Sequence, residues 1–368
     1  MKKVLLIGNP NSIWTKEYVK NIHKHNNVTI TVYNEISDAY LKEYNKLNVQ
    51  MIVLGKNNIT KAFRFIKFAI TNRGKIDIVD IQSPPHSIQS LIIAIVIRII
   101  NSRAVVSFWG SDIMRINHND ARMLIPIIKS CDKINLGTNR LTAEFKKYYK
   151  DHYCDKICNA KFGSLALSQI DLTKKNYTSE QCKKIIGIDS EKISVAIGYN
   201  GNVEQQHIKC LNEISQMSDS VKSKVQLIIH MGYGCSEDYF ERVKEIANST
   251  NIGYLMIDKM YDLEEIAVLR VATDIMIHAQ TTDALSGSIR ECLYAGTILI
   301  NPSWITYDEF SKLGINYLQY NSFDELSCLL EDTILKIKEY DTSKNSSIIN
   351  DYYSWEYQKK NWDRFLYE

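Results

Sequence analysis

The sequence has 368 residues and a mass of 42.5 kDa, which is room for two or three domains at roughly 150 residues each. Its 45% hydrophobic, 24% charged and 10% aromatic content is ordinary for globular proteins and excludes a disordered chain. A net charge of +3 hides an asymmetry: residues 1–160 hold 24 Lys and Arg against 12 Asp and Glu, and 161–368 hold 21 against 30.

In chain order, Lys3–Gly8 is a short buried strand that ends in Gly-Asn-Pro-Asn-Ser, and Asn11 or Ser12 caps a helix running to about His23. Val28–Tyr33, Met51–Gly55, Ile76–Ile81, Ala104–Phe108 and Lys133–Gly137 are further strands rich in β-branched residues. Helices are expected at 61–73, 87–101, 119–131 and 140–150. After an irregular stretch from 151 to 190 the pattern restarts. Strands are expected at Lys192–Ile197, Val225–His230, Ile252–Ile257, Asp274–His278, Thr297–Ile300 and Ile315–Leu318. Helices are expected at 203–217, 236–248, 262–271, 287–295, 305–313 and 323–340, with an amphipathic one over Tyr352–Tyr367. Strands alternating with helices imply parallel sheets covered on both faces, so the class is α/β with two doubly wound, Rossmann-like domains. The expected boundaries are 1–160, 161–350 and a last helix, 351–368, that returns to the first domain. Ligands of such sheets bind outside the carboxyl ends of the strands, so a cleft between the domains is the expected site.

Several function classes drop out. The longest apolar stretch, Leu91–Ile100, is interrupted by Arg98 and falls short of the ~20 residues of a membrane helix. Only Val4–Ile7 follows Met1-Lys2-Lys3 before Gly8 and Pro10, so a signal peptide is not expected. The eight cysteines show no CxxC pair, which supports neither a zinc site nor a disulfide framework and fits a cytoplasmic setting. The Gly8–Ser12 turn lacks GxGxxG spacing, and no loop carries a DxD run, so neither an NAD site nor a metal-held diphosphate is expected. The basic first half suits an anionic partner. No zinc-finger, RRM or zipper signature accompanies it, so a membrane surface is preferred to nucleic acid.

The densest segment is Ile277-His-Ala-Gln-Thr-Thr-Asp-Ala-Leu-Ser-Gly-Ser-Ile-Arg-Glu-Cys-Leu-Tyr-Ala-Gly296. A strand ends at His278, a polar loop follows, and a helix begins near Gly287-Ser288, where backbone amides and the helix dipole suit a diphosphate. Asp283 and Glu291 stand eight positions apart, one in the loop and one expected in the first helical turn. A purely structural alternative is that Ser288–Glu291 is a capping box and Gly296 the helix stop.

The acid-x7-acid spacing followed by Leu-Tyr-Ala-Gly-Thr resembles the E-x7-E motif of GT-B glycosyltransferases, with Asp283 in place of the first Glu. Phe108-Trp-Gly-Ser-Asp112 resembles the acceptor-side WGSD element of that group. Gly198-Tyr-Asn-Gly-Asn-Val-Glu-Gln-Gln-His207 and His230-Met-Gly-Tyr-Gly234 are similar to parts of bacterial 4-acetamido-4,6-dideoxygalactose transferases. The resemblance implies a GT-B fold and transfer of a sugar from a nucleoside diphosphate to a hydroxyl. The acceptor would be a lipid-linked or oligosaccharide glycan in envelope polysaccharide, capsule or O-antigen synthesis. A hexosyltransferase that retains configuration and needs no metal or other cofactor is the expectation. By the same resemblance Glu291 would hold the donor ribose and Asp283 the transferred sugar. Gly287, Ser288, Gly201 and Asn202 would flank the diphosphate, with Lys259 or Arg290 neutralising it. His278, as a catalytic candidate, and His230, as a donor-binding one, end strands on the same side and are equally readable as packed, hydrogen-bonded histidines. In the first domain Gly8 and Asn9 would approach the ligands closely. Trp109, Gly110 and Ser111 would line the acceptor, and Asp112 would orient or deprotonate its hydroxyl, with strand-end capping as the alternative.

Two other readings stay open: a sugar-nucleotide epimerase of the same fold, and a non-catalytic nucleotide- or sugar-binding partner subunit. Two basic and apolar patches also suit peripheral attachment at the inner face of the plasma membrane. One joins Lys61, Arg64, Lys67, Arg73 and Lys75 to Phe63, Ile66, Phe68 and Ala69, and the other joins Lys146, Lys147 and Lys150 to Tyr148–Tyr149.

Overall fold

A computed structural model describes residues 1–368. Contacts divide it into two compact units, Met1–Gly163 with Trp355–Glu368, and Ser164–Ser354. The first unit is built on β1 (Lys3–Ile7), β2 (Asn27–Val32), β3 (Gln50–Val53), β4 (Ile78–Gln82), β5 (Arg103–Ser107), β6 (Lys133–Asn135) and β7 (Ile157–Cys158). They form one parallel sheet in the order β3-β2-β1-β4-β5-β6-β7. The second unit has β8 (Ile193–Ile197), β9 (Val225–His230), β10 (Tyr254–Ile257), β11 (Ile275–Ile277), β12 (Ile298–Pro302) and β13 (Leu318–Tyr320), parallel in the order β10-β9-β8-β11-β12-β13. Central strands such as Val4-Leu5-Leu6-Ile7 are buried along their whole length, because helices cover both faces.

Strand order reverses between β1 and β4 and between β8 and β11. Those switch points open crevices at the carboxyl ends of the strands. The turn at Gly8 follows β1, Ser83 follows β4, the Gly198–Asn202 loop follows β8, and the loop from His278 follows β11. The Gly8 turn and the loops after β8 and β11 therefore sit at the switch points, while Phe108–Asp112 follows β5, beside β4, and His230–Gly234 follows β9, beside β8.

Two short helices, Ser111–Met114 and Asp219–Lys222, and four longer ones depart from the sequence expectations. Asp38–Lys46, Leu167–Asn176 and Ser179–Ile185 occupy segments where no helix is expected, the last two inside the stretch 151–190 expected to be irregular. Thr178 and Gln181 form a reciprocal capping box that starts Ser179–Ile185. The fourth, Ser343–Tyr353, lies beyond the expected helix 323–340, of which only Leu326–Leu335 is α-helical. Helix 203–217 shortens to His207–Ile214 and 305–313 to Asp308–Leu313.

The expected helix 352–367 starts later, at Trp355, because Tyr353 packs into the second unit and Ser354 is extended. Trp355–Tyr367 packs on the first unit. Trp362 is fully buried, 4.7 Å from the Tyr18 ring, and donates its indole N–H to the Lys161 carbonyl at 2.7 Å. Gly163 leaves room for this helix: a Cβ there would lie 2.4 Å from Cγ of Trp355.

Candidate active site: two acids and their partners

In the second unit, Gly198 and the residues after it meet two neighbouring loops. The Gly201 amide donates to the Tyr233 carbonyl at 2.8 Å, and a Cβ on Gly201 would sit 2.7 Å from Cβ of Cys235. Glycine at 201 thus lets the loops after β8 and β9 touch. On the other side the Thr281 amide donates to the Glu204 carbonyl, and the Gln206 side chain donates to the Ala279 carbonyl at 2.6 Å.

Asp283 is buried, and its carboxylate accepts four hydrogen bonds. Tyr307 donates its hydroxyl at 2.6 Å, Tyr199 donates its own at 3.1 Å, and the amides of Leu285 and Ser286 donate at 2.9 Å each. The carboxylate thereby braces a turn in which Leu285 takes a left-handed φ of 72°, a conformation costly for a side-chain-bearing residue. Tyr199 also accepts from the Gln280 amide at 3.1 Å. Burial, then the negative Asp283, pushes the Tyr199 hydroxyl well above its ordinary pKa.

The helix after this turn spans Gly287–Ala295, with Ser286 as its cap. The alternative reading of Ser288–Glu291 as a capping box is therefore not met. With Ser286 at the cap, Glu291 falls in the second turn, too far along to reach back, and it is not in the first turn as expected. Gly296 does end the helix, at a left-handed φ of 98°. Glu291 is buried and pairs with the buried Arg270 at 3.4 Å. Tyr233 lies within the field of both charges and bonds Asn200, so the Gly198–Asn202 loop links the Glu291 pair to the Asp283 cluster.

The remaining candidates of this unit divide. His278 is fully buried at the end of β11, with Nδ1 2.8 Å from Oδ1 of Asn301 and its ring stacked between Tyr199 and Tyr307. His230 ends β9 in a buried position. Burial, then Arg270 and His207, holds it well below the usual imidazole pKa, so it is neutral. Gly287 is buried and Ser288 half-buried at the helix start, and Asn202 is half-buried. Arg290 is buried with its guanidinium 5.3 Å from the Tyr353 ring centre. Lys259 is exposed and bonds Glu265 at 2.8 Å. Arg270 and Tyr307 lie outside every motif read from sequence, and Tyr199 and Tyr233 lie inside two of them without an assigned role. Arg270, set in the apolar run Ala267-Val-Leu-Arg-Val271, is the one whose charge in that place was a readable signal.

In the first unit Asp112 is also buried and accepts amide hydrogen bonds from Trp109 at 2.9 Å and Gly110 at 2.8 Å. Burial raises its pKa, and those amides oppose the rise. This is the capping arrangement weighed from sequence: the carboxylate holds the Trp109–Ser111 turn. Ser111 is exposed, and Gly8 stands against Gln82. Asn9 accepts from the Asn11 amide.

A chain of hydrogen bonds runs from the Trp109 turn into the core. Trp109 donates its indole N–H to Gln82 at 3.0 Å, and Gln82 donates to Asp80 at 2.6 Å. Asp80 bonds Tyr18 at 2.6 Å and His23 at 3.0 Å. Asn26 then joins His23 to Tyr367 of the last helix. The last helix and the turn are thus parts of one polar network. Its buried centre, Asp80 with Tyr18, His23 and Gln82, is satisfied, and such networks rigidify what they hold.

No group of three His, Cys, Asp or Glu side chains is placed to hold a metal ion. No helix is long and apolar enough to cross a membrane.

Residues 3–136 match the family described as Glycosyl transferase 4-like. No curated protein sequence matches the chain. Among solved structures, the chain is similar to a glycosyltransferase from Rickettsia africae ESF-5 at 16% identity and a TM-score of 0.77, covering 100% of this chain and 99% of that one. It is similar to Anabaena HepE in complex with UDP and glucose at 12% identity and a TM-score of 0.74, covering 98% of each. Sucrose-phosphate synthase from Thermosynechococcus elongatus follows at 10% identity and a TM-score of 0.72, covering 98% of this chain and 97% of that one. The matched domain over residues 3–136 supports a transferase, and the structural likenesses show the fold. Over residues 3–136 the chain carries a Glycosyl transferase 4-like domain, and over its full length it has the GT-B fold of glycosyltransferases.

Proposed function

We propose that the protein transfers a sugar from a nucleoside-diphosphate donor held by the second unit to an acceptor hydroxyl held by the first. The observation that carries the reading is the presence of two buried acids, each with its own partners, one in the turn before a helix and one in its second turn, at the switch point of the second sheet. Glu291, oriented by Arg270, accepts from the ribose hydroxyls. The Gly287 and Ser288 amides and the helix dipole receive the diphosphate, with Gly201 and Asn202 on the opposite wall. Asp283 fixes the turn beside the transferred sugar. Stabilising the leaving diphosphate with fixed dipoles and cations is electrostatic catalysis that requires no reorganisation at the moment of reaction.

The acid-x7-acid spacing favours retention, with the acceptor attacking from the face the diphosphate leaves and the leaving phosphate taking the hydroxyl proton. In the first unit Asp112 acts as a positioning residue for the Trp109–Ser111 turn, which meets the acceptor. The acceptor proposed is a lipid-linked glycan at the cytoplasmic membrane face. Anabaena HepE and its complexes with UDP and UDP-glucose make UDP the first nucleotide to try.

A thermal-shift series with UDP, GDP and dTDP tests the donor reading, because a ligand that binds only the native state raises apparent stability with its concentration. A concentration-dependent rise with one nucleotide is expected; no rise with any of them refutes it. Turnover of the matching nucleotide sugar without acceptor then separates the rivals. An epimerase converts the sugar unaided, a binding subunit leaves the donor intact, and a transferase shows slow hydrolysis that acceptor accelerates.

A further inference from the structure

In the first unit, helices Asn58–Thr71 and Gln89–Ile100 pack side by side, and each turns an apolar stripe outward. On the first helix Ile59 is 86% exposed, Phe63 68% and Ile70 62%, while Phe65 and Ala69 face the core. On the second, Ile88 at its cap, Leu91 and Ile95 are exposed at successive turns. A shallow apolar groove between them is lined by Leu54, Phe65, Ile92 and Ile93. A contiguous patch of this kind on a water-facing surface marks an interaction site.

Charge identifies the partner. No Asp or Glu occurs from Leu54 to Ile76 or from Ile81 to Ser111, whereas Lys56, Lys61, Arg64, Lys67, Arg73 and Lys75 crowd the first of these segments. Lys61 bonds the Asn34 side chain and Arg64 the Val53 carbonyl, and neither these two nor Lys67 forms a salt bridge. The other basic patch differs. Lys146 pairs with Asp151 at 2.9 Å and Lys147 with Glu144 at 2.6 Å, and Tyr149 is buried. Two of its three lysines are thus neutralised locally, Lys150 bonds only the Lys147 carbonyl, and the patch carries no comparable apolar stripe.

We propose that the outward face of helices 58–71 and 89–100 docks on an anionic phospholipid bilayer, with Ile59, Phe63, Ile70 and Leu91 entering the headgroup boundary and Lys61, Arg64 and Lys67 meeting lipid phosphates. Apolar side chains flanked by unpaired cations are what such an interface selects. The inference rests on the proposed function only in making a lipid-linked acceptor reachable at the surface.

The test is sedimentation of the full chain with phosphatidylcholine vesicles with and without phosphatidylglycerol, at low and high salt. Binding should require phosphatidylglycerol and weaken with salt. Each basic residue near the surface contributes about fivefold in affinity, so Lys61→Glu, Arg64→Glu and Lys67→Glu together should lower it more than a hundredfold. Ile59→Ser with Phe63→Ser should weaken binding as well, with the salt dependence kept. All five side chains reach solvent, so a thermal melt matching the parent protein checks that folding is intact. No binding at low salt, or equal binding to pure phosphatidylcholine, overturns the proposal. So does a lipid-free dimer that Phe63→Ser dissolves, because the face then belongs to a second copy of the chain. Nucleotide thermal shifts on the same variants keep the two readings apart: donor binding in the second unit should persist when vesicle binding is lost, and its absence from the parent protein would strike the donor reading alone.

Discussion

Replacing Asp283 by Asn tests whether its carboxylate braces the turn before helix 287–295. Oδ2 accepts three of the four hydrogen bonds, from Tyr307 and from the Leu285 and Ser286 amides, and Oδ1 takes the fourth from Tyr199. An asparagine oxygen at the Oδ2 position keeps three donors but makes each bond neutral. Bonds to a charged acceptor contribute about 1.5–3 kcal/mol and neutral ones about 0.5–1.5, so the loss is about 1 kcal/mol per bond and about 3 kcal/mol in all. The new amide group faces Tyr199, whose hydroxyl can accept from it once its own hydrogen turns away. Asp283→Ala costs more, because two amides and two hydroxyls lose their acceptor and nothing holds Leu285 at φ 72°. Urea unfolding followed by circular dichroism measures both variants against the parent. An Asp283→Asn protein within about 0.5 kcal/mol of the parent would refute the brace, since surface-like tolerance is incompatible with four buried bonds. On the same folded sample, turnover should fall strongly while affinity for the bare nucleoside diphosphate changes little. Equal loss of diphosphate affinity would move Asp283 away from the sugar.

Glu291→Gln should weaken nucleotide binding by calorimetry and also destabilise the fold, because it leaves Arg270 buried without its counter-charge, a loss of about 3 kcal/mol or more. The double variant Arg270→Met, Glu291→Leu should recover stability and not nucleotide affinity; a double variant that binds nucleotide normally would show the pair to be purely structural. Gly163→Ala should loosen the last helix, whose Trp355 ring occupies the space of the added Cβ, and limited proteolysis should then release Trp355–Glu368 faster than in the parent. Stability should also fall as pH drops from about 6.5 towards 4. Burial holds His207 at about 4 and His230 well below its ordinary value, so in this window the unfolded chain binds protons that the native state does not. His207→Gln should flatten that slope in urea unfolding at pH 7 and pH 5, and an unchanged slope would contradict the assignment.

What could be read from sequence follows from where each interaction partner lies along the chain. Parallel strands announce themselves because both faces are buried and the run is apolar from end to end, as in Val4–Ile7. Helix Asp38–Lys46 does not, since Tyr44 is its only buried side chain and no 3.6-residue period develops. Helix Ser179–Ile185 was legible in principle, through Thr178 and Gln181, but four apolar-poor residues after a cap are a weak signal without the structure. The two acids of the candidate site were found by a local spacing. Their partners were not, because Arg270 lies 21 positions from Glu291, Tyr307 lies 24 from Asp283 and Tyr199 lies 84 from it, all brought together by successive strand-helix crossovers around the switch point of the sheet. A similar limit separates Phe63 from Phe65. Both are aromatic in a helix with apolar residues on several sides, and only packing against the sheet decides that Phe65 turns in and Phe63 turns out. The outward choice leaves apolar surface in water at a cost of roughly 25 cal/mol for each Å². A free monomer gains nothing in return for that cost. The exposed stripe beside uncompensated cations is therefore the feature of the first unit that folding alone does not explain, and a surface that covers it does.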